Sequence, residues 1–157
     1  MHPAAPSPLP SPIGRSPKVP CIALAEDDPS FRQLIAQAIR AEGYEVVELR
    51  NGTELLEYVA ATKLYGFRYA KPALIITDLR MPGFNGLEVI AGLRQARYRA
   101  PIILITAFGA TETHARAYEL GVIQVFDKPF DIDELCSTVS RMIPIRFVRR
   151  GDNNDSR

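Results

Sequence analysis

The chain has 157 residues, 46% hydrophobic and 24% charged, with a formal net charge of +1; that suits one soluble domain and excludes a global pull toward nucleic acid or anionic membranes. No run approaches the ~18 consecutive apolar residues of a membrane span, so we expect a cytoplasmic protein. Two cysteines, Cys21 and Cys136, cannot form a disulfide framework or a zinc site and read as reduced core thiols.

Residues 1–19 read as a tail. Residues 1–20 hold seven of the thirteen prolines and no acidic residue. Proline at that density fixes φ and removes N–H donors, which blocks helix and sheet alike. The segment lacks the basic start and apolar run of a secretory signal. A proline-rich ligand for an adaptor domain is the alternative reading.

From Cys21 the pattern becomes regular. Cys21 to Ala25 is an apolar run without polar alternation, the mark of a strand covered on both faces. Asp28-Pro29 opens a helix whose stripe is Phe31, Leu34, Ile35, Ala38 and Ile39, and Gly43 ends it. Tyr44 to Leu49 is the second strand, and Thr53 begins a helix with Leu55, Leu56 and Val59 inward. A longer connection from Lys63 to Lys71, rich in aromatic and basic residues, leads to a buried strand at Ala73–Thr77. After Pro82, Gly83 and Gly86 comes a helix carrying Leu87, Ile90 and Leu93, and Pro101 to Ile105 is the fourth strand. Thr111 opens a helix that stops at Gly121, Val122 to Phe126 is the fifth strand, and Asp131 starts a last helix with Leu135, Val139 and Met142 inward. Residues 144–157 read as a second tail.

Five strand–helix units imply an α/β fold, a parallel sheet with helices on both faces and right-handed crossovers. Ligands in such folds sit beyond the carboxyl ends of the strands. Glu26, Asp27 and Asp28 follow the first strand, Asp78 the third, Thr106 the fourth and Lys128 the fifth. If those strands are neighbours, the carboxylates crowd one mouth and repel unless a cation sits among them. Hard oxygen ligands there suit Mg²⁺, and a lysine with a threonine hydroxyl suits a transferred phosphoryl group. An aspartate can itself attack phosphorus to form an acyl phosphate. Singly, each feature has a plainer reading as a helix cap, a turn or a strand end; their order along the chain carries the inference.

Leu24–Pro29 (LAEDDP), Thr77–Gly83 (TDLRMPG), Gly86-Leu-Glu88, Ile105-Thr-Ala107 and Lys128-Pro-Phe130 resemble the motifs of response-regulator receiver domains over residues 20–143. The resemblance implies a doubly wound, flavodoxin-like (β/α)5 sheet of order 2-1-3-4-5. It implies Asp78 as phosphoacceptor, with Thr106 and Lys128 gripping the phosphoryl oxygens. Glu26, Asp27, Asp78 and the Arg80 backbone carbonyl would hold Mg²⁺, Asp28 would cap the helix, and the bond before Pro129 would be cis. Arg80 and Phe108 would flank the path of the hydrolytic water. The implied partners are a histidine kinase or histidine phosphotransfer protein and a downstream protein target, without nucleic acid or membrane; phosphorylation-dependent homodimerisation stays open. About fourteen residues follow the last helix, so a stand-alone receiver, not a turnover enzyme, is expected. Many receivers carry Tyr or Phe three residues before the lysine; Val125 stands there instead. The competing readings are a pseudo-receiver interaction module and an aspartyl phosphohydrolase, whose D-x-D motif on the first strand Glu26-Asp27-Asp28 does not match. His2 and His114 read as isolated.

Overall fold

Three segments are buried along their whole length: β1 (Cys21–Ala25), β3 (Leu74–Asp78) and β4 (Ile102–Thr106). They form the centre of a five-stranded parallel sheet, flanked by β2 (Glu45–Leu49) and β5 (Gln124–Asp127) in the order β2-β1-β3-β4-β5. The computed structural model describes residues 19–145 except 67 and 108, together with Leu9. Most of both expected tails, and Phe108, therefore lie outside the described residues.

Strand side chains alternate between two cores. Ala23, Ile75, Leu104 and Val125 face α2 (Gly52–Leu64), α3 (Gly86–Gln95) and α4 (Thr111–Glu119). Leu24, Ile76, Ile105 and Phe126 face α1 (Pro29–Ala41) and α5 (Ile132–Met142). Continuous apolar strands make sense only with helices on both sides. The two cysteines are buried, free and in different cores, Cys21 on the α2–α4 side and Cys136 on the α1–α5 side.

Two inward assignments fail. Leu34 is 52% exposed, and Ala36 is buried in its place beside Ile35 and Ile39. Successive helical residues turn by about 100°, and α1 meets the sheet on the 35–36–39 side, which swings Leu34 outward. Met142, the last residue of α5, is also exposed. Element ends shift too: Asn51, not Thr53, precedes α2, its side chain accepting from the Glu54 N–H at 2.8 Å. No helix among the described residues is long and apolar enough to cross a membrane.

Candidate functional site

The sheet order brings the carboxyl ends of β1, β3, β4 and β5 to one edge, and the charged residues follow from there. Asp28 spends its carboxylate on α1, accepting from the Ser30 and Phe31 N–H groups at 2.9 and 3.3 Å. It is the cap and takes no part in the cluster formed by the pair before it, of which Glu26 accepts from the Asp28 N–H at 3.2 Å. The Glu26 N–H donates to the Leu49 carbonyl (3.0 Å), and the Arg32 guanidinium donates to the Glu26 carbonyl (2.9 Å). The Glu26 side chain is thereby held inside the mouth with 1% of its surface exposed, while Asp27 stands in solvent.

Asp78 ends β3 and is 4% exposed. One oxygen each of Glu26, Asp27 and Asp78 lie within 4.8 Å of one another. Lys128, directly after β5, crosses to them: its Nζ lies 2.9 Å from Asp78 Oδ2 and 3.4 Å from Glu26 Oε2. Its backbone N–H donates to the Thr106 carbonyl at 2.7 Å, and the Lys128–Pro129 bond is cis. The ammonium also lies 4.7 Å from the Phe31 ring centroid. Thr106 ends β4 fully buried, beside Asp127 in register.

Three carboxylates against one ammonium leave an excess of negative charge, and Glu26 registers it. Burial, then the hydrogen bond and charge of Asp78, push its pKa up to about 8 against the pull of Lys128. Burial works against the Lys128 ammonium, yet its hydrogen bond with Asp78 and the charges of Asp78 and Glu26 outweigh this and raise its pKa. Such a hard-oxygen cluster, under-neutralised and partly open, fits a small divalent cation.

The β3–α3 turn is built to keep Asp78 in place. Gly86, the first residue of α3, donates its N–H to the Leu79 carbonyl at 2.7 Å. A Cβ there would collide with the Asp78 carbonyl oxygen and crowd Leu79 Cα. Asn85 and Glu88 close the helix start reciprocally as a capping box. Arg80 lies exposed in this turn.

The family model for the response regulator receiver domain matches residues 22–140. The chain belongs to that family. Similar proteins include sporulation initiation phosphotransferase F of Bacillus subtilis, 28% identical over 80% of this chain and 94% of that protein. The DNA-binding transcriptional regulator NtrC of Escherichia coli is 32% identical over 76% of this chain, but the match spans only 24% of that regulator. Among solved structures, the response regulator TrrA of Thermotoga maritima, in complex with Mg²⁺ and BeF, is 30% identical with a TM-score of 0.66; the match covers 80% of this receiver and all of that chain (100%).

The receiver brings Glu26, Asp27, Asp78 and Lys128 into direct reach and sets Thr106 on the adjoining strand. Its Val125 and Phe126 belong to different cores, so the phenyl ring cannot take the place that Val125 leaves small. Reading by motif overlooked two features. His114 is not isolated: its Nε2 lies 2.9 Å from Asp127 Oδ1, joining α4 to the end of β5. Phe31 packs against the α1–α5 core as expected, but it also meets Phe130 edge-on at 5.9 Å and lines a cavity of about 400 Å³ with Asp28, Lys128 and Pro129. Neither contact joins neighbours in sequence, so neither leaves a local signal; the fold makes both.

Proposed function

We propose that this receiver accepts a phosphoryl group on Asp78 from the phosphohistidine of a histidine kinase or histidine phosphotransfer protein, dependent on Mg²⁺. The observation that carries this is the Lys128 ammonium bridging Asp78 and Glu26 at 2.9 and 3.4 Å inside a carboxylate cluster. A carboxylate oxygen of Asp78 attacks phosphorus; the O–P bond forms as the P–N bond breaks, and the departing imidazole keeps or takes up a proton from solvent. Lys128 is poised to exchange part of its contact with Asp78 for the phosphoryl oxygens, and the Thr106 hydroxyl to donate to another. Glu26, Asp27 and Asp78, with the Arg80 carbonyl, would hold Mg²⁺, which supplies charge neutralisation between carboxylates and phosphoryl group.

The acyl phosphate then acts as a signal rather than a product. Its recruitment of Thr106 and Lys128 shifts the surface around α4, β5 and α5 toward a downstream protein target. Val125 is stiff and small, so the shift travels chiefly through the loop after β4. Intact mass after treatment with acetyl phosphate and Mg²⁺ tests the reading. A single stable addition of about 80 Da, absent from a folded Asp78→Asn variant and from samples with EDTA, is the expected result. Equal labelling of the Asn variant refutes the assignment of Asp78; no labelling of either returns the chain to the pseudo-receiver reading.

A further inference from the structure

Three helices of this domain end by turning the chain left-handed. After α1 and α4 that position is glycine, Gly43 at φ 102° and Gly121 at φ 80°. After α3 it is Arg97 at φ 58°. The hydrogen bonds are those of the same motif: Arg97 N–H to the Arg94 carbonyl (2.9 Å) and Tyr98 N–H to the Leu93 carbonyl (2.8 Å). A Cβ is disfavoured in this conformation, so an arginine held there directs attention to its side chain.

Arg97 lines a cavity of about 440 Å³ with Lys63, Lys71, Arg99, Thr62 and Tyr98. A second cavity of about 480 Å³ shares Arg97, Tyr98 and Arg99 and continues past Arg94 to Glu119. The Lys63 and Lys71 ammoniums lie 5.6 and 6.0 Å from the Tyr98 ring centroid. Among the described residues, no ion pair engages Lys63, Lys71, Arg97 or Arg99. The one carboxylate in the lining among the described residues, Glu119, is already 3.3 Å from Arg116. Arg94 is occupied differently, donating to the carbonyls of Tyr98, Ala100, Leu120 and Gly121 at 2.8–3.3 Å and so tying the walls together. Helix C-termini attract cations, which accounts for Lys63 on the last turn of α2, whose Nζ donates to the Ala96 carbonyl at the end of α3 at 3.4 Å. Lys71 and Arg99 sit in the segments leading into β3 and β4, outside any helical turn.

We propose that this cationic groove, at the pole where β3 and β4 begin and opposite Asp78, binds an acidic peptide segment of a partner protein. Four cations without a carboxylate partner among the described residues, spread over two adjoining cavities, match a row of separate carboxylates, with the arginine forks suited to bidentate contacts. Tyr98 is only 4% exposed, with two lysines near its ring, so it gives no platform on which a nucleic-acid base could stack. Lys63 and Lys71, at the two ends of the connection between α2 and β3, thereby gain a role that the phosphoryl chemistry leaves unassigned.

The groove is tested without Mg²⁺ or phosphodonor, independently of the phosphoryl reading. Fluorescein-labelled octaglutamate is titrated with the full chain at 50 and 300 mM NaCl, followed by anisotropy. Saturable binding that weakens with salt is expected. Lys71→Ala/Arg99→Ala should weaken it at least tenfold. Arg97→Gly should weaken it at least fivefold while raising the melting temperature by about 2–5 °C, because glycine relieves the left-handed conformation. Absence of binding by the natural chain, or equal binding by both variants, overturns the proposal. Tighter binding of a dodecameric oligothymidylate overturns it in favour of nucleic acid. Self-association in sedimentation velocity that the same variants abolish overturns it in favour of a second copy of the chain.

Discussion

Glu26→Gln removes an ionisable group from the most crowded carboxylate position, and its effect on stability should depend on pH in one direction. Burial and Asp78 push the Glu26 pKa from 4.5 to about 8. The folded protein therefore holds a proton on Glu26 across a range where the unfolded chain has released it. Stability from this residue is complete below about pH 4.5 and is lost as pH rises through 8. Each tenfold difference in proton affinity between the folded and unfolded states corresponds to about 1.4 kcal/mol, so between pH 5 and pH 8 the metal-free protein should lose on the order of 3 kcal/mol. Glutamine keeps the shape and cannot ionise. The variant should match the natural chain near pH 5 and exceed it by on the order of 2–3 kcal/mol at pH 8. Urea unfolding followed by far-ultraviolet circular dichroism suits a chain without tryptophan. Measurements at pH 5, 6.5 and 8 in EDTA give the comparison, and repetition in Mg²⁺ should flatten the natural chain's dependence by favouring the ionised cluster. Stability curves of the two proteins that run parallel across this range would refute the reasoning.

Asp27→Ala should lower Mg²⁺ affinity at least tenfold by removing one of three clustered oxygens; unchanged affinity by isothermal titration would contradict the ligand assignment. Lys128→Ala should impair beryllofluoride binding more than Mg²⁺ binding, since its Nζ faces the Asp78 carboxylate, and a larger loss of metal binding would speak against it. Gly86→Ala should cost about 2–3 kcal/mol and slow labelling, because the new Cβ meets the Asp78 carbonyl; a neutral effect on urea midpoint and labelling rate would show that the turn can yield. Thr106→Ala should separate phosphorylation from partner binding, whereas Val125→Ala should change partner affinity only modestly. An equal loss in both would place the switch on the small side chain after all.

Element types were legible in local patterns because each reports a local force. The apolar strands had to be covered on both faces, and Asp28-Pro29 announced a helix start at which the Asp28 carboxylate accepts from the Ser30 and Phe31 N–H groups. Which face of a helix turns inward was less legible. Leu34 fits the apolar period of α1 as well as Ile35 does, and only the direction from which the sheet approaches puts the one in solvent and the other at 0% exposure. The acidic pair, Asp78, Thr106 and Lys128 could be named from their positions after strands. Their convergence required the order β2-β1-β3-β4-β5, which the resemblance supplied and the residues alone did not.

By itself, then, the sequence determined five strand–helix units, the chemical types at each strand end and the valine where an aromatic is common, since propensity, patterning and residue identity are properties of the chain. Tertiary structure decided everything that depends on distance between segments remote in sequence. It set Lys128 Nζ 2.9 Å from Asp78 and buried Glu26 so that its proton is held toward pH 8. It paired His114 with Asp127 and gathered Lys63, Lys71, Arg97 and Arg99 around Tyr98. Charge and desolvation act through space and depend on separation and burial. Only the folded arrangement fixes those separations, and with them the strength of each interaction.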